Sequence, residues 1–238
     1  MKKQEICGIL IIYLTIEVLM KILYEDKYIV VCEKAAGELS EGEGSNALPS
    51  LLCAYFKEKG VDNTTVFTVH RLDRETTGIM VFARDAKSAA LLSESFRQRD
   101  TQKTYLAVCH GELGQKSGEL CDLLFYDRRA GKSYVTDKKR NGVKEASLEY
   151  EVLDEKEGLS LLRVKLHTGR THQIRVQFAS RKHPLVGDRR YGAPKSEYVG
   201  VALVAHRLIF EHPVSKEQMT FESDVPNTPL WNAFKKTN

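Results

Sequence analysis

The sequence predicts an α+β fold built on a mixed sheet, and three observations carry that expectation. Runs rich in β-branched and aromatic residues outnumber helical patterns, the two kinds follow each other irregularly, and no internal repeat or Pro/Ser-rich linker divides the 238 residues. One domain is expected. Composition agrees: 42% hydrophobic and 29% charged residues support a sizeable core, while 6 prolines and 16 glycines exclude a low-complexity or collagen-like chain.

The first nineteen residues stand apart. The run ICGILIIYLTI follows Lys2-Lys3 like the front of a signal peptide, but Glu17 interrupts it and no small-x-small site follows. It is also well short of the ~20 apolar residues that span a bilayer. Residues 1–19 therefore read as an extension upstream of the folded chain, such as a misassigned start codon, with a docked element or a membrane signal as rivals. A natively expressed peptide beginning before Met20 would overturn the start-codon reading.

From Met20, MKILYEDKYIVVCEK reads as a β-hairpin. Strands are expected at 28–33, 64–69, 78–83, 104–109, 147–153, 159–166, 201–210 and 218–222. A helix over 47–59 has apolar residues at three-to-four spacing and stops at Gly60. Asp85 can cap a second helix from 86 to about 99, with Ala89, Leu92 and Phe96 on one stripe. Thr171 can cap a third, with Ile174 and Phe178 one turn apart.

The five cysteines contain no C-x-x-C pair, so neither a zinc ribbon nor a redox dithiol is suggested, and the scatter fits a reducing cytoplasm. The formal charge of +4 conceals an uneven distribution. Residues 161–190 hold eight Lys/Arg against Asp188, and residues 128–144 hold seven against Asp137. These segments carry +7 and +6, leaving −9 for the remainder. Two solvated basic loops would account for them; clustered on an otherwise acidic chain, they suggest a groove for a phosphate backbone.

Several chemistries lack their signatures. Residues 37–44, GELSEGEG, are followed by no Gly-Lys-Ser/Thr, and their glutamates would repel phosphate. There is no H-E-x-x-H and no G-x-S-x-G, and nothing argues for a metal or any cofactor.

The segment 70–78, HRLDRETTG, is unusual because it is a polar run between two apolar strands. Asp73 lies between Arg71 and Arg74, whose guanidinium groups would keep a carboxylate ionised. Such a group is either a structural ion pair in a turn or a nucleophile or electrostatic partner at an electron-poor carbon. With no second carboxylate as general acid, a leaving group needing little protonation, such as a nucleobase lactam, fits best. In KTYLAVCHG (103–111), alternation puts Tyr105 and Ala107 on one strand face; Tyr105 is either core or a ring that stacks on a base and handles a proton. The turn Thr168–Arg175 leads into a helix whose start, with nearby arginines, suits phosphate, and Arg175 could point back toward it.

HRLDRETTG, KTYLAVCHG, LHTGRTHQIRVQ and HPLVGDRRYG, in this order and spacing, resemble the RluA-type RNA pseudouridine synthase family, and the similarity runs from about Ile22 to Glu222. The resemblance implies a pseudouridine synthase fold: a mixed, mainly antiparallel, bent β-sheet flanked by helices and loops around a central basic cleft. It implies that residues 20–238 form the catalytic domain, with no preceding S4 RNA-binding domain. Asp73 matches the catalytic aspartate, Tyr105 the tyrosine that stacks on the target uracil, and Arg175 the basic partner of the aspartate. Arg71 matches the arginine that fills the space of the flipped base, and Arg74, Arg170, His172 and Gln173 are expected near the RNA. Departures are modest: Thr77 for the usual Ser, KAAG (34–37) for Lys-Pro-Ala-Gly, and Leu203-Val204-Ala205 for Leu-His-Ala. The implied enzyme is an isomerase that needs no cofactor, acts on rRNA or tRNA, has no membrane partner and works as a cytoplasmic monomer. A catalytically silent RNA-binding protein and a membrane-attached factor using residues 1–19 are the rival classes.

Overall fold

The computed structural model describes residues 20–98 and 100–234; the reading of residues 1–19 as an extension lies outside them. The described chain divides into two compact units. The first takes the residues through Asp100 together with Phe210–Phe221, and the second takes Thr101–Ile209 with the residues from Glu222 onward.

In the first unit, β1 (Ile22–Glu25) and β2 (Ile29–Lys34) form the expected hairpin. Its turn closes on Asp26, whose Oδ1 accepts from the Tyr28 and Ile29 amides at 2.7 and 2.8 Å. β2 then pairs antiparallel with β4 (Thr77–Ala83), and both strands are buried almost throughout, so they read as apolar runs rather than as alternation. The strand expected at 64–69 shrinks to β3 (Phe67–Thr68), pairing with the far end of β4. Helix α1 (Leu48–Glu58) buries Leu48, Leu52 and Phe56 and ends before Gly60 at φ 71°. Helix α2 (Ala86–Gln98) starts at the expected cap, with Asp85 Oδ1 accepting from the Ser88 amide at 2.9 Å.

The second unit is an antiparallel sheet in the order β10-β5-β9-β8-β6-β7. Its strands are β5 (Gln102–His110), β6 (Ser117–Asp127), β7 (Lys132–Thr136), β8 (Val143–Lys156), β9 (Leu159–Leu166) and β10 (Leu203–Glu211, through Ile209 in this unit). β6 and β7 were not expected, and β8 begins at 143 rather than 147. The basic segment 128–144 is therefore not a single solvated loop but a β-strand with its flanking turns. Helix α3 (Gln173–Ser180) has six consecutive buried residues, Gln173 through Phe178. Val176 packs with Leu124, Ala146 and Tyr191 in one apolar cluster. Another cluster gathers Val108, Val186, Ala202, Val204, Trp231 and Phe234. Among the described residues, no helix is long and apolar enough to cross a membrane.

Candidate active site

Asp73 is half-buried on the loop between β3 and β4, and that loop is pinned on both sides of it. Before it, the Ser40 hydroxyl donates to the Leu72 carbonyl at 2.7 Å and accepts from the Leu72 amide at 3.0 Å. After it, Lys34 is only 1% exposed at the end of β2. Its ammonium donates to the carbonyls of Ala35, Arg74 and Thr76 at 2.9, 2.9 and 2.8 Å, so all three N–H groups are used. Burial pushes the Lys34 pKa down from the ordinary lysine range to about 8, and the nearby Glu38, Asp73 and Glu75 carboxylates limit the fall. The loop closes on itself through the Thr76 amide and the Asp73 carbonyl at 3.0 Å. Lys34 and Ser40 carry this geometry, and sequence reasoning gave neither a role.

The arginines flanking Asp73 turn toward residues 37–44. Arg71 pairs with Glu41 at 3.0 Å, and Arg74 Nε donates to the Gly37 carbonyl at 3.2 Å. Both are exposed. His70, at the loop's start, accepts from the Val81 amide through Nε2 at 3.1 Å, which makes the neutral ring the Nδ1–H tautomer; it stacks on Phe96 with centroids 4.4 Å apart.

The remaining expected residues lie in the second unit. Tyr105 is 8% exposed on β5, between Ala205 of β10 and Val164 of β9. Arg175, 3% exposed on α3, donates through Nε and Nη2 to both oxygens of Asp188 at 2.7 and 2.9 Å. Asp188 is 1% exposed, so this is a buried bidentate ion pair. It follows Gly187 at φ 80°, where a Cβ would collide with the Gly200 carbonyl oxygen. Asp188 lies within the motif HPLVGDRRYG.

The start of α3 differs from expectation. The capping position is His172, not Thr171, in left-handed backbone at φ 54°, ψ 25° and with no side-chain cap. The locking group is Gln173: its Oε1 accepts from the Thr168 hydroxyl at 2.7 Å and the Arg170 amide at 3.0 Å, while its Nε2 donates to the Ser147 carbonyl at 3.0 Å. Arg170 Nε also donates to the Glu145 carbonyl at 2.9 Å. A left-handed histidine costs of order 1 kcal/mol, and these bonds supply the constraint that holds it. Arg170, His172, Gln173 and Arg175 thus come together at one helix start.

The Tyr191 hydroxyl accepts from the Ser133 amide at 2.8 Å and lies 2.9 Å from His172 Nδ1. Burial raises the Tyr191 pKa to about 12, so the phenol keeps its proton. The contact ties the His172 ring to the Tyr191 hydroxyl at the start of α3. The Arg175 guanidinium sits 5.3 Å above the Tyr191 ring. Sequence reasoning missed Tyr191 as well. Among the described residues, no cluster of three or more His, Cys, Asp or Glu could hold a metal ion.

Residues 28–180 match the family model of RNA pseudouridylate synthase. The chain is 38% identical over 231 residues to an uncharacterized RNA pseudouridine synthase of Aquifex aeolicus (strain VF5), covering 88% of this chain and 70% of that one. It is 34% identical to ribosomal large subunit pseudouridine synthase D of Xanthomonas campestris pv. campestris, covering 87% of this chain and 66% of the relative. With tRNA pseudouridine synthase C of Pasteurella multocida (strain Pm70) the identity is 30%, over 84% of this chain and 89% of the relative. Among solved structures, human RNA Pseudouridylate Synthase Domain Containing 4 superposes with a TM-score of 0.74 at 25% identity, covering 87% of this chain and 89% of that one. The expected pseudouridine synthase fold is thereby shown, and the chain belongs to the RluA-type RNA pseudouridine synthase family.

Proposed function

We propose that this isomerase converts uridine to pseudouridine in rRNA or tRNA, the two RNA classes its relatives' names carry, with Asp73 as its catalytic carboxylate. The observation that supports Asp73 is the pinning of its loop by Ser40 and by the triply bonded Lys34 ammonium. A group committed to one geometry in advance costs no ordering when the substrate arrives.

In this reading the target uridine leaves its stack, at a cost of a few kcal/mol, and Arg71 offsets part of that by occupying the gap. Asp73, with Arg175 as its basic partner, acts either as nucleophile at C1′ or as base on the ribose. The N1–C1′ bond breaks, the uracil turns over the Tyr105 ring, and a C5–C1′ bond forms. C5 then loses its proton while N1 gains one, so the atoms balance without any co-reactant. Arg74, Arg170 and His172 line the RNA side, while the buried Gln173, expected there too, acts instead by holding the helix start that carries Arg170 and His172. The enzyme works as a cytoplasmic monomer; light scattering that gives twice the chain mass would refute the monomer.

Asp73→Asn should abolish tritium release from RNA labelled at uridine C5 while leaving RNA affinity nearly intact. Residual turnover within about tenfold of wild type would remove Asp73 from this role.

A further inference from the structure

We infer that Tyr126, with the arginine-bearing turn beside it, is a stacking shelf for an unpaired nucleotide of the substrate RNA; this rests on the RNA-modifying reading above. Tyr126 is the penultimate residue of β6 and is 40% exposed. A large exposed aromatic ring is by itself ordinary on a protein surface. What sets this one apart is where its face lies and what surrounds it.

Tyr126 pairs across the ribbon with Ser133, so both point to the same sheet face. Ser133 is the residue whose amide donates to the Tyr191 hydroxyl and whose hydroxyl donates to the Thr171 carbonyl at 2.6 Å. The Tyr126 ring therefore lies on the side of α3 that carries His172 and Arg175. It meets the His172 ring edge-on at 6.3 Å and 88°, and His172 in turn meets Tyr191 at 5.7 Å and 86°. A base laid on Tyr126 would be two rings away from the ring under the Arg175 guanidinium. That spacing suits a neighbour of the target uridine rather than the target itself.

The turn is built to hold still. Asp127 Oδ1 accepts from the amides of Arg129 and Ala130 at 2.8 and 3.1 Å, and Arg190 Nη1 donates to the Ala130 and Gly131 carbonyls at 3.3 and 2.9 Å. Arg128 and Arg129 are exposed on it, and Lys132 leaves it with Nζ 5.0 Å over the Tyr191 ring. The segment from 128 to 144 carries seven Lys/Arg against Asp137. An exposed ring among cations with few competing anions matches a polyanion that offers free π-faces. A duplex hides those faces in its own stack, so the partner is a looped or single-stranded stretch.

Binding and turnover together test the shelf. A short fluorescein-labelled single-stranded RNA and the same strand in a duplex are titrated against wild type, Tyr126→Ala and Tyr126→Phe, and tritium release is followed on unmodified rRNA and tRNA transcripts. Tyr126→Ala should weaken single-strand binding roughly tenfold and leave duplex binding within about twofold, with Tyr126→Phe near wild type. On a transcript that is turned over, KM should rise by about the same factor while kcat holds. Unchanged single-strand affinity in Tyr126→Ala overturns the shelf. So does a fall in kcat at constant KM, which would make Tyr126 a support for His172, and so does a Tyr126→Phe defect equal to that of Ala. A wild type that binds single strands through Tyr126 but releases no tritium would sink the isomerase reading and leave the shelf standing.

Discussion

Around Asp73 the chain is held by neutral carbonyls gathered on one buried cation, whereas around Arg175 a buried cation is held by a buried anion. Lys34 hydrogen-bonds three backbone oxygens, so its removal chiefly frees a loop, although it also takes a cation from near Glu38, Asp73 and Glu75. Asp188 spends both oxygens on Arg175, so its removal leaves a guanidinium short of its bidentate partner in the interior. The first arrangement sets the position of a half-buried group on a loop. The second sets a charge on a helix that is buried on every side. Mutations should therefore separate geometry from stability differently in the two places.

The largest effect is expected at Asp188. Asp188→Ala should destabilise the protein by about 3–5 kcal/mol, because it takes the bidentate carboxylate away from a buried guanidinium. Chemical denaturation monitored by circular dichroism would show it. Replacing both partners, Arg175→Met with Asp188→Leu, should recover most of that stability while tritium release stays lost. A double variant as unstable as Asp188→Ala would mean the pair matters for shape rather than charge. A double variant that regains activity would remove Arg175 from the chemistry.

The same contrast explains what could be read from the sequence. Local signals were legible: the Gly60 stop, the Asp85 cap, and the polar run holding Asp73 between apolar strands. Groups completed by distant partners were not. Lys34 looks like any surface lysine until folding brings Arg74 and Thr76 onto it, forty and forty-two residues away. Asp188 gave no hint that its partner is Arg175. At the start of α3, Thr171 fits a local capping rule, but a side chain inside the helix, Gln173, reaches out to Ser147 on β8 and takes over the constraint. β6 and β7 escaped because their exposed and buried positions mix charged, small and aromatic residues, so neither face shows clean alternation. Beside Asp73, too, the fold sets these partners of Arg71 and Arg74, which are Glu41 and the Gly37 carbonyl, thirty and thirty-seven residues back in the chain.

A smaller and more selective effect belongs to Lys34. Lys34→Met leaves the Ala35 and Thr76 carbonyls without this donor, while Arg74 keeps the Gly37 amide at 2.8 Å; the cost should be about 2–3 kcal/mol. Activity should fall further than stability, because the loop that loosens is the one carrying Asp73. The pH dependence sharpens this. With its folded pKa lowered to about 8 from an ordinary 10.5, the folded protein binds fewer protons than the unfolded chain between those values. Stability attributable to Lys34 therefore rises as pH climbs through that window and is lost as pH falls back through about 8. Activity should move the other way, since a neutral amine has two N–H groups for three carbonyls and releases its grip on the loop. The stability difference between wild type and Lys34→Met should grow above pH 8 while their activities converge. Parallel declines of wild-type stability and activity, or an alkaline fall in activity that survives in Lys34→Met, would show that the lysine does not hold the loop in its charged form.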